Sequence, residues 1–392
     1  MGFISELSDT TGAAAGPPAA WERACTGEGV TLPLTSSNYL DAVRESTRKF
    51  IDSEAGQALV TINASNVKQY VDGLDVSKFD KYVKHVNSWS RSLPLVFDNR
   101  AQNLNLVAII DLLQVGSGFR SELHEATDRG ASDTINFGCM SMHISQTPLD
   151  VRGLQALTLG DISRHFGIPL LGKERPMNEG NTAVMISEAS ALRPLAEIIL
   201  GILQDTGRRL EQAGFASFAE FIIKMCVEKP TAAYLVQKLV IAFPSLRDAA
   251  SIGGQPVYLF KKAQLVAYDI CQIFGKEDAK FDFPDIGDLT LFADNVVPAV
   301  VQHHGLIDPC PSLRSKIAAG KELTLQETTA MRAASIVAAQ LVVDHANSPN
   351  SGFRAGEVAV NQATLDNFWW YEGKEPSIRS VERLVCKNTA YF

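Results

Sequence analysis

The sequence contains few cysteines, and their spacing follows no known pattern. Six are scattered over 392 residues, without a Cys-x-x-Cys pair and without a histidine at metal-ligand spacing. This arrangement predicts reduced thiols instead of a disulfide framework or a zinc site. A chain of this length buries a large hydrophobic core without cross-links. We therefore expect neither a disulfide nor a zinc site.

Long apolar runs and an excess of positive charge are also absent. No segment approaches the roughly 20 apolar residues of a membrane span, and the first residues lack the basic flank and apolar core of a secretory signal. The net charge is −8, which argues against a protein that holds nucleic acid through its phosphates. We expect a cytoplasmic protein with no membrane and no direct nucleic-acid partner, and we predict a monomer.

The body of the chain has the periodicity of amphipathic helices. Apolar residues recur every three or four positions, the spacing that places them on one helical face. The segments with this spacing are Tyr39–Ile51, Leu192–Leu203, Phe218–Met225, Tyr234–Val240, Lys261–Phe274, Leu289–His304 and Glu327–His345. Alternation every second residue is scarce, and Val257–Phe260 is the clearest strand candidate.

The first 35 residues differ from the rest in composition. They are rich in Gly, Ala, Pro and Thr and show no periodicity, as is typical of segments without fixed structure. Neither an internal repeat nor an obvious linker divides residues 36–392. The sequence therefore predicts a flexible extension at residues 1–35 and a single compact, mainly α-helical domain with few short strands at residues 36–392, in one lobe or two.

Two adjacent lysines stand at the predicted start of a helix. Lys261 and Lys262 directly follow the strand candidate, although the helix dipole disfavours cations at this end. Helix amides and ammonium groups can hold a phosphate together. The alternative is a pair of solvated surface lysines.

Asp294 places a carboxylate inside an apolar segment that ends at Pro298. A buried carboxylate is costly unless it is paired or used in chemistry. The same residue also fits the cap of a helix in which Pro298 occupies the first turn. The residues alone leave both interpretations open, a functional carboxylate or a helix cap.

Five short blocks of the sequence, in order, resemble motifs of the queuosine salvage protein family. Each block is short, and the order and rough spacing agree from about residue 36 to residue 392. The blocks are Phe243–Asp248 (F-P-S-F-R-D in the family), Phe260–Leu265 (Y-K-R-A-Q), Leu289–Asp294 (L-T-x-F-A-D), Arg332 with Ser335 and Ile336 (I-R-G-x-S-I), and Arg383, Thr389 and Tyr391 (the terminal R-x-x-x-T-x-x-Y).

The resemblance implies a helical fold similar to that of helix–hairpin–helix DNA glycosylases. It also implies a hydrolase, an N-glycosidase that splits queuosine 5′-phosphate without a metal or cofactor and releases queuine for reuse in tRNA modification. The partners it implies are small molecules, the nucleotide and the free base. Two alternatives stay open: a divergent nucleotide-binding member without turnover, and a DNA-glycosylase-like repair enzyme, which the acidic charge disfavours.

The resemblance assigns Asp294 to catalysis, because the matching family position carries a catalytic carboxylate. Cleavage of a ribosyl C–N bond develops oxocarbenium charge on the sugar. A carboxylate below the anomeric carbon stabilises that charge and orients or deprotonates water. Lys261 or Lys262 is expected to hold the 5′-phosphate.

The remaining candidates concern the base of the nucleotide. Asp248 is expected to accept hydrogen bonds from its guanine-like edge or to contact its side-chain amine. Phe292 and Phe119 are expected to flank the flat base, with plain core aromatics as the alternative. Asn295, next to Asp294, is a further substrate-binding candidate.

Several positions depart from the family pattern. Asn295–Val296 replaces Tyr-Arg, Ala299 replaces Gln, and Val337 and Gln340 replace Trp and Glu. Gln114–Phe119 replaces an aromatic segment, N-F-x-F-W. If the absent arginine and aromatics hold phosphate and base, this chain binds them differently or has lost turnover.

Overall fold

The structure is a computed structural model that describes most of the chain. The described residues are Ala24, residues 30–34, Ser36, and residues 38–90, 95–178 and 181–392, with the backbone alone at 86–90, 178 and 181–184. Apart from Ala24 and residues 30–34, the extension predicted at residues 1–35 lies outside the described residues.

Helices make up most of the described chain, and polar residues cap many of them. Asn38 accepts the N–H of Leu40 at the start of the first helix, and Thr324 forms a capping box with Glu327 at the longest. In chain order the α-helices are α1 Tyr39–Ile51, α2 Glu54–Gln57, α3 Ala64–Asp72, α4 Val76–Ser90, α5 Arg100–Leu112, α6 Arg120–Thr127, α7 Ala131–Ile144, α8 Val151–Ala156, α9 Leu159–Phe166, α10 Arg193–Gln212, α11 Phe218–Glu228, α12 Ala232–Ala242, α13 Lys261–Phe274, α14 Val297–His303, α15 Pro311–Ala318, α16 Leu325–Ala346, α17 Gln362–Glu372 and α18 Pro376–Arg379.

Strands are short and pair two by two within the described residues. They are β1 Val60–Ile62, β2 Arg175–Asn178, β3 Asn181–Ile186, β4 Ala249–Ile252, β5 Gln255–Tyr258 and β6 Ile307–Pro309. The antiparallel pairs are β1 with β6, β2 with β3, and β4 with β5. The strand predicted at Val257–Phe260 overlaps β5 only in part, because Phe260 has left the extended conformation.

The chain divides into two compact units. One comprises Phe97–Phe221 and Lys387–Ala390, together with Ala24. Within it, α10 packs against α8 and α9, and α7 packs against α5 and α9. The hairpin of β2 and β3 belongs to the same unit.

The other unit comprises Thr26–Val96, Ile222–Cys386 and Tyr391–Phe392. At its centre, α16 contacts the helices α1, α3, α14 and α17 and the strands β1, β4 and β6. The alanines at positions 330, 333, 334, 338 and 339 of α16 are fully buried. A helix that is apolar all round belongs in a core, and its small side chains let neighbouring elements approach closely.

The mainly helical prediction with few short strands is confirmed, and α13 has the predicted bounds. The helix predicted over Leu289–His304 is wrong in its first half, because α14 begins only at Val297. Pro298 lies in the first turn, and the Asp294 side chain accepts backbone N–H groups at the helix start. These hydrogen bonds and the proline together set the start of α14, which the apolar spacing alone does not reveal.

Among the described helices, none is both long enough and apolar enough to cross a membrane. No disulfide joins the cysteines within the described residues, which are Cys139, Cys226, Cys271, Cys310 and Cys386. The predicted boundary of a single domain at residues 36–392 stays a prediction.

Candidate functional site

An irregular segment, residues 289–295, lies among three helices of the second unit, and we call it the Asp294 segment. Its backbone is held by Gln264 of α13, Arg332 of α16 and Gln362 of α17. Three of the five blocks that resemble family motifs therefore meet here.

A backbone turn at Phe260 fixes the start of α13. Its φ of 51° lies in the left-handed region, which costs free energy for a bulky residue. The buried ring stacks on Tyr39 and Tyr258, with centroids 5.5 and 5.4 Å away. The carbonyl oxygen of Asp248 accepts the Phe260 N–H. Packing and this hydrogen bond hold the turn that leads into Lys261.

Asp248 and Arg332 form an ion pair in the core, with exposures of 1% and 0%. Nη1 and Nη2 donate to the two carboxylate oxygens at 2.9 and 2.5 Å, and the Lys261 backbone N–H donates to Oδ2 at 3.2 Å. Both oxygens of Asp248 are thus occupied by protein groups. Its expected contact with the base stays a prediction, and this geometry favours a structural role.

Lys261 and Lys262 are only 7% and 0% exposed, so they are not solvated surface lysines. Burial lowers the pKa of the Lys261 ammonium below its usual value, and the Asp294 carboxylate acts in the opposite direction. Lys261 therefore lies within electrostatic reach of Asp294. The phosphate-binding role of either lysine stays a prediction.

Asp294 is partly buried and lies two residues before Val296, the N-cap residue of α14. Its Oδ1 accepts the backbone N–H groups of Val296 at 2.6 Å and Val297 at 3.0 Å. Within the described part of the chain, the hydrogen bonds to this carboxylate arrive at Oδ1, which leaves Oδ2 for a ligand or water. The two interpretations of Asp294 are therefore compatible, because capping and chemistry can use different oxygens.

Asp366 of α17 is a second carboxylate at this site. It is 6% exposed, and Oδ1 has no hydrogen-bond partner among the described residues. Burial and the Asp294 carboxylate raise the pKa of Asp366 well above its usual range, while Lys261 and the Phe292 backbone N–H oppose this. Asp366 therefore holds its proton to higher pH than an ordinary aspartate.

The remaining predicted residues occupy different places. Phe292 and Asn295 are buried within the Asp294 segment, and the Phe292 ring lies 5.5 Å from that of Tyr268. Phe119 lies in the first unit, where Lys387 Nζ is 5.7 Å from its ring centroid. Their contacts with the base stay predictions. Among the described residues, no group of three or more His, Cys, Asp or Glu is placed to hold a metal ion.

Comparison with known protein families identifies the larger part of the chain. A family model described as queuosine salvage protein matches residues 174–390, which is more than half of the sequence. The chain belongs to the queuosine salvage protein family. The match contains Asp248, Lys261, Asp294 and Asp366, whereas Phe119 lies outside it.

Curated members of the family resemble the chain at moderate identity. A protein of Sphaerobacter thermophilus is 34% identical over 145 residues, 36% of this chain and 44% of its own length. A protein of Mus musculus is 29% identical over 194 residues, 48% and 55% of the two chains. Both are named queuosine 5′-phosphate N-glycosylase/hydrolase. The chain thus spans about half the length of the curated relatives it matches.

Sequence reasoning missed Asp366, although a signal was present. Asp366 lies between Leu365 and the aromatic run Phe368–Tyr371, and a carboxylate close to apolar residues is the feature that singled out Asp294. Gln264 and Gln362 gave no such signal, because an uncharged amide is common at helix surfaces and only the structure shows that these two are buried.

A cavity of about 420 Å³ lies elsewhere in the second unit, lined in part by Tyr70, Lys78, His304 and Glu372. The Glu372 carboxylate accepts hydrogen bonds from Lys78 Nζ and His304 Nε2, each at 2.9 Å. None of the predicted site residues lines this cavity. For this reason we assign the candidate site to the Asp294 segment.

Proposed function

We propose that this protein is an N-glycosidase that hydrolyses queuosine 5′-phosphate to queuine and ribose 5-phosphate. Membership of the queuosine salvage family and the names of its curated relatives support the proposal. The observation that carries it is the cluster of Asp294, Lys261 and Asp366. Each group changes the pKa of another, and one of the carboxyls keeps its proton unusually well.

A buried carboxyl with a raised pKa, Asp366, close to a second carboxyl, Asp294, matches the needs of the reaction. Water must attack C1′ of the ribose while the C1′–N bond breaks and its electron pair passes to the base. We assign Asp294 the stabilisation of the oxocarbenium charge and the acceptance of the water proton. Queuine is a 7-deazapurine without the N7 that purines offer for protonation. A proton from Asp366 to another atom of the base therefore assists its departure.

The lysines supply the positive charge for the 5′-phosphate in this proposal. Lys261 is the favoured candidate, because its charge acts on both Asp294 and Asp366. A nucleotide phosphate also compensates the cost of keeping this ammonium buried. The reaction needs no metal or cofactor.

We further propose that the fold is related to that of helix–hairpin–helix DNA glycosylases and that the protein acts as a cytoplasmic monomer on the free nucleotide. The helical architecture supports the first point, and the net charge of −8 supports action on a free nucleotide. An acidic chain is poorly suited to grip duplex DNA.

The decisive experiment is incubation of the purified protein with queuosine 5′-phosphate and chromatography for free queuine. We expect queuine and ribose 5-phosphate in equal amounts, and no cleavage of guanosine 5′-monophosphate as the matched nucleotide. Tight binding of queuosine 5′-phosphate without turnover favours the non-catalytic alternative, which the substitutions at Asn295 and Val296 motivate. Failure to bind queuosine 5′-phosphate contradicts the proposal.

A further inference from the structure

The Asp294 segment has no strand or helix of its own to fix its backbone. Side chains perform this task for four consecutive residues. Thr290 N–H donates to Gln264 Oε1 at 2.8 Å, and Leu291 N–H donates to Gln362 Oε1 at 2.9 Å. Phe292 N–H donates to the Asp366 carboxyl, and the Ala293 carbonyl oxygen accepts from Arg332 Nε at 2.6 Å.

Gln264 makes the most complete set of these contacts. Its Nε2 donates to the Leu259 carbonyl oxygen at 2.9 Å and to Thr290 Oγ1 at 2.8 Å. Its Oε1 accepts from Thr290 N–H at 2.8 Å and from Thr290 Oγ1 at 3.2 Å. Two donors and two acceptor sites are the full capacity of a side-chain amide. Gln264 and Thr290 are both fully buried, so water cannot replace any of these bonds at low cost.

The position of Gln264 joins the two parts of the site. Leu259 lies two residues before Lys261, and Thr290 lies four residues before Asp294. The amide therefore ties the backbone before the lysine to the backbone before the carboxylate. A displacement of about 1 Å at a reacting group can reduce a rate about a hundredfold. The hydrogen bonds of Gln264 can therefore affect turnover although Gln264 does not contact the substrate.

We propose that Gln264 is a positioning residue that keeps Asp294 in a fixed position relative to Lys261. Gln362 supports the same segment from the helix that carries Asp366, through its bond to Leu291 and a second bond from Nε2 to Gln340 Oε1 at 2.6 Å. The catalytic part of this inference rests on the proposed function. The structural part, that Gln264 holds the Asp294 segment, does not.

The test combines Gln264→Met, which keeps the length of the side chain but removes its hydrogen bonds, with two measurements. Hydrogen–deuterium exchange of residues 289–295 reports the backbone, and kcat and KM on queuosine 5′-phosphate report the chemistry. We expect exchange in the segment to accelerate about tenfold or more. We expect kcat to fall about tenfold to a hundredfold, with KM changed less than about threefold.

Thr290→Val is the milder companion variant, in case Gln264→Met does not fold. It removes the hydroxyl contacts and keeps the bond from Thr290 N–H, so the same changes are expected at smaller size. Asn105→Leu is the matched control. Asn105 is a buried amide of the first unit that bonds to the Leu149 carbonyl oxygen and the Ala219 N–H, both at 2.9 Å. This variant should lose stability without a selective change in residues 289–295.

Unchanged exchange of residues 289–295 in both test variants would overturn the structural part of the inference. Faster exchange with unchanged kcat would overturn its catalytic part. A wild-type protein that does not turn over queuosine 5′-phosphate contradicts the proposed function, and the exchange measurement still decides whether Gln264 holds the segment.

Discussion

The guanidinium of Arg332 donates hydrogen bonds to both carboxylate oxygens of Asp248, from Nη1 to Oδ1 at 2.9 Å and from Nη2 to Oδ2 at 2.5 Å. Both side chains are buried from solvent. The same guanidinium lies 4.4 Å from the ring centroid of Phe392, and its Nε binds the carbonyl oxygen of Ala293. The ion pair thus joins the turn before α13 to the residue before Asp294. A paired charge of this kind is tolerated in a core only while both partners are present.

Asp248→Asn should therefore destabilise the protein strongly. The variant leaves the Arg332 charge buried without its counter-ion, which costs about 3–5 kcal/mol in comparable cases. Urea unfolding measures this loss. The double variant Asp248→Leu with Arg332→Met removes both charges together. Its loss in free energy of unfolding should therefore be smaller than the summed losses of Asp248→Leu and Arg332→Met measured singly.

A different result would support the role of Asp248 that the family resemblance implies. If Asp248→Asn keeps the wild-type stability and loses affinity for queuine, Asp248 contacts the base and the ion pair is secondary.

The sequence predicted the helical class and the motif residues, but it could not predict how they are held. The helix Lys261–Phe274 could be predicted because the helical period of its apolar residues is visible in a single sequence. The same spacing failed over Leu289–Val296, where buried side-chain amides from distant positions replace the backbone hydrogen bonds of a helix. Contacts such as Gln264 with Thr290 depend on tertiary packing, which local patterns do not contain.

Removal of a single lysine charge tests the assignment of the phosphate site. Lys261→Met or Lys262→Met should weaken nucleotide binding about tenfold or more at the lysine that contacts phosphate, the scale of a lost charged hydrogen bond. Binding of free queuine should change little. Isothermal titration with both ligands makes the comparison, and Lys276→Met, at an exposed lysine, is the control. Equal losses for nucleotide and base would contradict a phosphate role.

The raised pKa of Asp366 predicts a pH-dependent stability. Burial and Asp294 keep this carboxyl protonated in the folded state above its unfolded pKa of about 3.9. Between that value and the raised pKa, the folded state binds more protons than the unfolded state, so stability falls as pH rises. Asp366→Asn lacks this pH-dependent loss of stability. Relative to wild type, it should therefore become more stable as pH rises between the unfolded and the folded pKa of Asp366.

Urea unfolding of both proteins at several pH values measures this difference. Asp133→Asn, at an exposed aspartate of the first unit, serves as the control and should follow the wild-type profile. Parallel curves for wild type and Asp366→Asn would show that the Asp366 carboxyl has no raised pKa.

Asp294 offers the sharpest test, because its two possible roles respond differently to two substitutions. As a cap it needs only an acceptor for the N–H groups of Val296 and Val297, which Asn supplies and Ala does not. Asp294→Ala should therefore lose about 1 kcal/mol of stability, whereas Asp294→Asn should unfold like the wild type.

As the catalytic carboxylate, Asp294 needs its charge, which both substitutions remove. A group that acts on the transition state affects turnover more than ground-state affinity. We therefore expect kcat on queuosine 5′-phosphate to fall about a hundredfold or more in both variants, the scale of a lost electrostatic or acid–base contribution. The affinity for queuosine 5′-phosphate should change far less. If Asp294→Asn releases queuine at the wild-type rate and only Asp294→Ala is impaired, the residue is a helix cap, and the catalytic carboxylate must be sought elsewhere, first at Asp366.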